Sequence, residues 1–369
     1  QPPVMLAGGA ATIAGMFFLP LGKLLGWLAW LPLAWSVAVV QWTAGMDWAQ
    51  WSPPPTPLWL MLLLYIAIGA SVWWLNGNFR RRFFAPAPMP FPRTAIFLTG
   101  GVLALMLTAA AILPNLPDGN LHVAFLDVGQ GDAVLITAPH GQQLLIDGGP
   151  SEVTVLRRLA EEMPLWDRSL DVMVSTHPDS DHLTGLLAVA KRYTVGTVLV
   201  SDVRGASSLA QQWQADTAGV AVVARAGMQF WLDDGVSVQV LNPGEWSRQF
   251  PDSNNHSVTL RVQMGQIRFL LSGDLEEAGE SALLATGQDV RATVLKSPHH
   301  GSDTGSSDAF LSAVQPQLVV ISVGKDNRFG HPAPEVLARY ATHGISVLRT
   351  DQLGTVELVT DGRSLWLAR

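Results

Sequence analysis

Four side chains able to bind a metal fall within the six residues His177-Pro-Asp-Ser-Asp-His182, which follow the apolar run Asp171-Val-Met-Val-Ser-Thr at the point where a strand gives way to a loop. Carboxylates held this close repel one another and cost stability unless a cation lies between them. Imidazole nitrogens beside carboxylate oxygens make a mixed donor set that suits zinc or manganese better than calcium. Further residues of the same chemistry stand at the ends of other apolar runs. Asp147 closes Leu144-Leu-Ile before Gly148-Gly149, and His256 opens Ser257-Val-Thr-Leu. Asp274 follows Phe269-Leu-Leu-Ser-Gly, and His299-His300 follow Thr293-Val-Leu-Lys-Ser-Pro. Each has a bland alternative: Asp147 as a turn residue, Asp274 as a helix cap, His256 as a surface histidine. Taken in order they point to one edge of a layered sheet, where strand ends converge and ligand sites tend to lie.

Such an edge needs strands alternating with helices. Strands are expected at 121–127, 132–137, 143–147, 172–175, 197–201, 236–241, 257–264, 266–272, 292–296, 318–323, 346–349 and 354–360. Helices are expected at 151–163, beginning at a serine cap, and at 183–192, 275–285, 309–314 and 334–343. Strands with helices on both sides imply an α/β chain with an αββα layered arrangement.

The remainder of the chain is different in kind. Residues 1–113 hold five basic residues (Lys23, Arg80, Arg81, Arg82, Arg93) and one acidic residue (Asp47), a net charge of +4, whereas 114–369 hold 18 basic and 29 acidic residues, a net charge of −11. The first part reads as transmembrane helices and the second as one globular domain. Segments 58–76 and 94–113 are long enough as helices to cross a hydrocarbon core of about 30 Å. Segment 24–40 is a third span, and 5–19 a further span or half-span cut short by Pro20. The cluster Asn78-Phe-Arg-Arg-Arg-Phe-Phe is cytoplasmic by the positive-inside rule, so the span after it carries 114–369 to the outside. A signal peptide is excluded because several apolar segments precede the polar region. Gln1 stands in an apolar context without an initiator methionine, and the expectation is a piece of a longer multi-pass protein of the inner (cytoplasmic) membrane. The absence of cysteine suits either side of that membrane.

The hexapeptide, with Asp147-Gly-Gly before it and Ser272-Gly-Asp274 and His299-His300-Gly-Ser after it, resembles the metallo-β-lactamase fold. Phe125-Leu-Asp-Val-Gly-Gln-Gly-Asp132, Asn254-Asn-His-Ser-Val and Asn327-Arg-Phe-Gly-His331-Pro are similar to the lactamase-like domain of the ComEC family of competence DNA-uptake channels. That resemblance covers nearly all of 120–369, and Ser52-Pro-Pro-Pro-Thr-Pro-Leu-Trp resembles the end of the family's membrane region. It implies an extracytoplasmic nuclease domain that degrades one DNA strand while the complement passes through the channel. Two divalent metal ions, manganese or zinc, are implied. One would be held by His177, Asp179 and His256, the other by Asp181, His182 and one of His299 or His300, with Asp274 between them. Asp147 would support the loop from behind as a hydrogen-bond acceptor.

The residues expected to act in catalysis are Asp181, His331 facing the scissile phosphate, and Asp132 lining the cleft. Such cations would activate water for attack on phosphorus, and His331 would hydrogen-bond a phosphate oxygen or protonate the leaving group. Asp179 stands where the broader fold usually has histidine, and its harder oxygen donor favours manganese or magnesium over zinc. The charge of −11 on 114–369 is unlike that of a typical nucleic-acid binder, so DNA is expected to bind weakly and in a salt-sensitive way, along Arg204, Arg248, Lys325 and Arg328. The membrane, the rest of the channel and other DNA-uptake proteins are the further expected partners. The alternatives are a metallo-hydrolase of another phosphoester and a non-catalytic channel-assembly domain.

Overall fold

A computed structural model describes residues 117–164 and 167–368, with eight isolated helical positions before them: Thr12, Gly15, Lys23, Gly26, Trp30, Tyr65, Ile66 and Gly69. The chain divides into two compact units, Gln1–Pro86 and Ala87–Arg369. The spans expected at 5–19, 24–40, 58–76 and 94–113, and the expected boundary after residue 113, lie outside the described residues apart from those isolated positions. Among the described residues no helix is long and apolar enough to cross a membrane.

Residues 117–368 build two sheets. The first holds β1 (Leu121–Phe125), β2 (Val134–Thr137), β3 (Gln143–Ile146), β4 (Ser169–Ser175), β5 (Thr194–Val200) and β6 (Ala221–Val223). The second holds β7 (Gln229–Asp233), β8 (Val236–Asn242), β9 (Thr259–Met264), β10 (Ile267–Leu271), β11 (Val294–Lys296), β12 (Leu318–Ile321) and β13 (Ser346–Arg349). The chain then returns to the first sheet with β14 (Val356–Thr360) and β15 (Leu365–Leu367). The strand orders are β15-β14-β1-β2-β3-β4-β5-β6 and β13-β12-β11-β10-β9-β8-β7.

Side chains alternate across each strand, and both faces are apolar because both are covered. Leu121, Val123 and Phe125 point between the sheets, with Phe269 and Leu271 of the opposite sheet in the same core. Ala124 and Leu126 point the other way, into a core closed by helices α1 (Glu152–Glu162), α2 (Ser180–Arg192) and α3 (Ser208–Thr217). Leu270 likewise points outward, under α4 (Glu277–Ala285), α5 (Asp308–Val314) and α6 (Pro334–Thr342). The expected αββα sandwich is therefore present. Helix α1 starts as its sequence requires, with the Ser151 hydroxyl accepting from the Thr154 N–H.

Two features of the topology matter for the site. In each sheet the pairing changes from antiparallel to parallel at one strand, β3 in the first and β10 in the second. The residues that follow those strands and their parallel neighbours, β4 and β11, all face the same end of the sandwich. Elements not expected from the sequence include α3, β6, β7, β15 and the short helix Thr350–Leu353. The strands β6, β7 and β15 are edge strands, which need not alternate because one side is open; Trp231 in β7 is 66% exposed. Helix α3, Ser-Leu-Ala-Gln-Gln-Trp-Gln-Ala-Asp-Thr, carries too few apolar residues to show a clear stripe.

Candidate metal centre

Strand β4 ends at Ser175, Thr176 and His177 follow, and α2 begins three residues earlier than the sequence predicted, with Asp179 at its N-cap position. Asp181 and His182 therefore lie in a first helical turn, where free backbone N–H groups favour a carboxylate. The helix start is pressed against the Gly148-Gly149 turn. Gly148 N–H donates to His182 O at 2.8 Å, and Gly185 N–H donates to Gly149 O at 3.0 Å. A Cβ on Gly148 or Gly185 would overlap the facing backbone, so this approach demands glycine on both sides.

Asp147, fully buried and with a left-handed backbone, sits at the pivot. Its carboxylate accepts from the Thr176 N–H (2.8 Å), the Thr176 hydroxyl (2.7 Å) and His182 Nδ1 (2.8 Å). The Thr176 Oγ1 in turn lies 3.0 Å from His177 Nδ1 and, having given its proton to Asp147, accepts there. One carboxylate thus fixes the ring orientation of two histidines and turns each Nε2 toward Asp274.

The second sheet supplies the facing groups. Asp274 follows β10, its N–H donating to Ser257 Oγ at 3.1 Å. Its Oδ2 lies 3.1 Å from His182 Nε2, 3.3 Å from His300 Nε2, 3.8 Å from His299 Nε2 and 3.9 Å from His177 Nε2. Each of these rings is held through its other nitrogen, His299 by Thr304 Oγ1 at 3.1 Å and His300 by the Ser322 carbonyl at 3.0 Å. The sequence left open which of the adjacent pair faces the centre, because strand alternation would admit one. They are not in a strand. Both adopt left-handed backbone conformations, φ 47° and 54°, within the turn Pro298–Gly301, and both rings reach Asp274. His300 is the buried and nearer one, also 3.5 Å from Asp181 Oδ2, while His299 is partly exposed at the rim. Two successive non-glycine residues with positive φ cost of order 1–3 kcal/mol each and persist where the surrounding structure enforces them.

Two expectations need correction, and one residue was missed. His256 does not join the cluster: its Nδ1 faces Asp202 at 2.8 Å and its Nε2 the Phe250 carbonyl at 3.1 Å, so neither nitrogen is turned to the centre. The neighbouring Ser257 reaches it instead, through Asp274. Asp132 does not line the cleft. It is buried behind the imidazoles, with Oδ1 3.3 Å from His300 Nδ1 and Oδ2 2.5 Å from Lys296 Nζ. Lys296, at the end of β11, was missed altogether. It is only 2% exposed, donates to the carbonyls of Gly273 and Ser297 at 3.0 Å, and stands 4.0 Å from Asp274 Oδ1. A lysine inside the apolar run Thr293-Val-Leu-Lys was the available signal, since a buried ammonium requires an acid.

The remaining predicted residues lie at the mouth. Asp179 is half-exposed, with Oδ2 3.9 Å from His177 Nε2 and Oδ1 accepting from Ser253 Oγ at 2.9 Å. The His331 ring packs edge-on against His299, centroids 5.8 Å apart.

The charge pattern is that of a cation site. Burial opposes ionisation of Asp274, yet His182 and His300 hold its carboxyl well below the usual range. Burial likewise opposes a charged imidazole at His182 and His300. The carboxylates of Asp274 and Asp147 around one, and of Asp274 and Asp132 around the other, override it and raise both well above the ordinary value. Without a metal, protons on imidazoles compensate the acids. Among the described residues, His177 Nε2, His300 Nε2 and Asp274 Oδ1 are buried with no hydrogen-bond partner. Asp181, His182, Asp274 and His300 offer ligand atoms within 4.8 Å of one another, which fits a divalent ion with mixed nitrogen and oxygen donors. Asp132, Asp147 and His182 form a second such group, but its carboxylates are already engaged by Lys296 and Thr176.

Comparison with known proteins agrees with this geometry. The chain is 30% identical over 287 residues to ComE operon protein 3 of Bacillus subtilis (strain 168), covering 71% of this chain and 36% of that protein. It is 32% identical over 293 residues to competence protein ComA of Neisseria gonorrhoeae, covering 74% and 39%. The chain thus spans little more than a third of the length of these relatives, and the similarity to competence proteins read from its motifs holds in them. Among solved structures, the metallo-beta-lactamase fold protein YhfI from Bacillus subtilis is 12% identical, covering 67% of this chain and 100% of that one, with a TM-score of 0.43. Residues 126–325, more than half of the chain and the span that carries Asp132, Asp147, the hexapeptide, Asp274 and His299-His300, match the Metallo-beta-lactamase superfamily, to which the chain belongs.

Proposed function

We propose that this chain carries the nuclease domain of a DNA-uptake protein, a metal-dependent phosphodiesterase that degrades one strand during natural transformation. The observation that carries the reading is the convergence of four imidazole Nε2 atoms on one oxygen of Asp274, beneath an open mouth formed by Asp179 and Asp181. The names of the similar competence proteins supply the biological setting. In this reading residues 1–113 are membrane spans of the inner membrane and 114–369 face the periplasmic side, beside the rest of the channel.

His177, Asp179, Asp181, His182, Asp274, His299 and His300 would hold divalent ions, which when bound would neutralise a phosphodiester and lower the pKa of water. Asp147 keeps His177 and His182 in the ligating orientation. Lys296 neutralises Asp132, so that Asp132 can stand 3.3 Å from His300 Nδ1 without adding a second bare charge to the interior. Asp181 is the solvent-reached member of the inner group and orients water at the mouth. His331, at the rim beside His299, is placed to hydrogen-bond a phosphate oxygen.

The test is cleavage of end-labelled linear duplex by the full chain in detergent with manganese, beside an Asp181→Ala control. Release of label that disappears in the variant supports the reading. A protein that holds metal but leaves DNA intact while hydrolysing a small phosphodiester removes it. The net charge of −11 on 114–369 favours that second outcome, a smaller phosphoester substrate.

A further inference from the structure

The loop 324–331, between β12 and α6, holds an exposed aromatic ring in a fixed position. Phe329 is 54% exposed, although burying such a ring would stabilise the fold. Its backbone is nevertheless clamped by one side chain. Asn327 Nδ2 donates to the carbonyls of Gly324 (3.0 Å) and His331 (2.7 Å), and its Oδ1 accepts from the N–H groups of Phe329 (3.2 Å) and His331 (3.0 Å). Gly330, with φ 73°, turns the chain between the two rings. They stack, centroids 5.8 Å apart and planes at 25°. The exposed Arg328 guanidinium lies over the phenyl ring, 5.0 Å from its centroid. Inward, His331 meets His299, whose Nε2 is 3.8 Å from Asp274. A cation, a phenyl ring and two imidazoles therefore run in sequence from solvent to the acid at the heart of the centre. The buried Nδ1 of His331 has no hydrogen-bond partner among the described residues.

The geometry points to Arg328, Phe329 and His331 as a stacking platform for single-stranded nucleic acid, in which an unpaired base next to the reacting phosphate takes the place of the Arg328 guanidinium over Phe329 and the released Arg328 takes a flanking phosphate. The inference rests on the nucleic-acid reading above and specifies the form of the substrate. A base inside a duplex has both faces covered, so only a base that has left the stack can meet the ring. A cationic headgroup is excluded by Arg328, and a simple phosphate has no use for a phenyl surface. A rigid exposed aromatic also loses little entropy on binding.

Two measurements on the full chain separate this inference from the nuclease reading. The first is fluorescence anisotropy of a labelled oligothymidylate and of an abasic oligomer of the same length, in chelator. The wild type binds the base-bearing oligomer roughly 10-fold more tightly, the order of one base–aromatic stack. Phe329→Ala brings that oligomer down to the affinity of the abasic one, and Phe329→Trp restores the preference. A preference that survives in Phe329→Ala, or an equal loss for both oligomers, overturns the platform. The second is cleavage of the same oligomers with manganese. If neither is cleaved while the base preference and its loss in Phe329→Ala persist, the platform stands and the nuclease reading falls. If both are cleaved and the preference is the same in the variant, the nuclease stands and the platform falls.

Discussion

Asp147 and Asp274 occupy corresponding places in the two sheets, each just beyond the strand at which antiparallel pairing gives way to parallel. Their environments differ. Asp147 is met by a threonine that follows β4, and its oxygens are taken by the Thr176 N–H and hydroxyl and by His182. Asp274 is met by the lysine that ends β11 and by two histidines that follow it; its Oδ2 faces four imidazoles and its Oδ1 has no hydrogen bond. One switch point therefore yields a saturated support and the other an acid left open, and the neighbouring parallel strand decides which. Hydroxyl and amide donors saturate an acid, whereas imidazoles that are themselves tied down leave it open to a cation.

That contrast can be broken or sharpened by substitution. Lys296→Met strands Asp132 as an unpaired buried charge and is expected to cost about 3–5 kcal/mol in chemical denaturation, most of it regained when Asp132→Leu is added. A loss below about 1 kcal/mol would mean that the pair is not what holds this side of the centre. Asp274→Asn is expected to weaken manganese binding, measured by calorimetry, by more than the roughly 100-fold that bounds an outer-shell change. Asp147→Asn should cost roughly 10–100-fold in the same titration, with the fold retained in circular dichroism. Equal losses at the two positions would erase the distinction between support and ligand.

The smallest effect lies away from the centre, on the β1–β14 pair. The hydrogen bond from His122 Nδ1 to Glu357 at 2.8 Å raises the His122 pKa despite partial burial, with Asp118 adding to the shift. A histidine raised in the folded state contributes stability that is complete below its unfolded value of about 6.5 and is lost as pH rises through the folded value. Glu357→Gln should therefore destabilise by at most about 1 kcal/mol at pH 5.5 and not at all at pH 9. An effect that is larger at pH 9 would contradict the assignment.

The central strands and most helices were legible because their neighbours bury them on both faces, so their apolar runs are long and end at polar residues. The edge strands β6, β7 and β15 carry no such mark. Helix α2 was expected three residues late because Ser180 and Asp181, polar and partly exposed, read as loop. For the centre, Asp147, Asp274 and the hexapeptide were readable as acids and imidazoles at strand ends. His256 has the same local signature, and what excludes it is its distant partner Asp202, which no spacing reveals. The orientation of His299 and His300 depends on positive φ at two successive residues with side chains, an uncommon backbone state that no spacing announces. Lys296 was hidden because a lone lysine reads as solvent-exposed until its acid is known.

The glycine-to-glycine contact between α2 and the Asp147 turn bears on how such a centre can be retuned. Because backbone meets backbone there, the helix that carries Asp181 and His182 cannot slide or tilt to suit an ion of another radius. Adaptation to a larger or smaller cation is left to the carboxylates at the mouth, Asp179 and Asp181, whose side chains are 49% and 34% exposed and have room to change rotamer. With divalent ions held as proposed, ion choice would be adjusted from the solvent side, by exchange of side chains at the mouth, while the inner wall behaves as a fixed gauge.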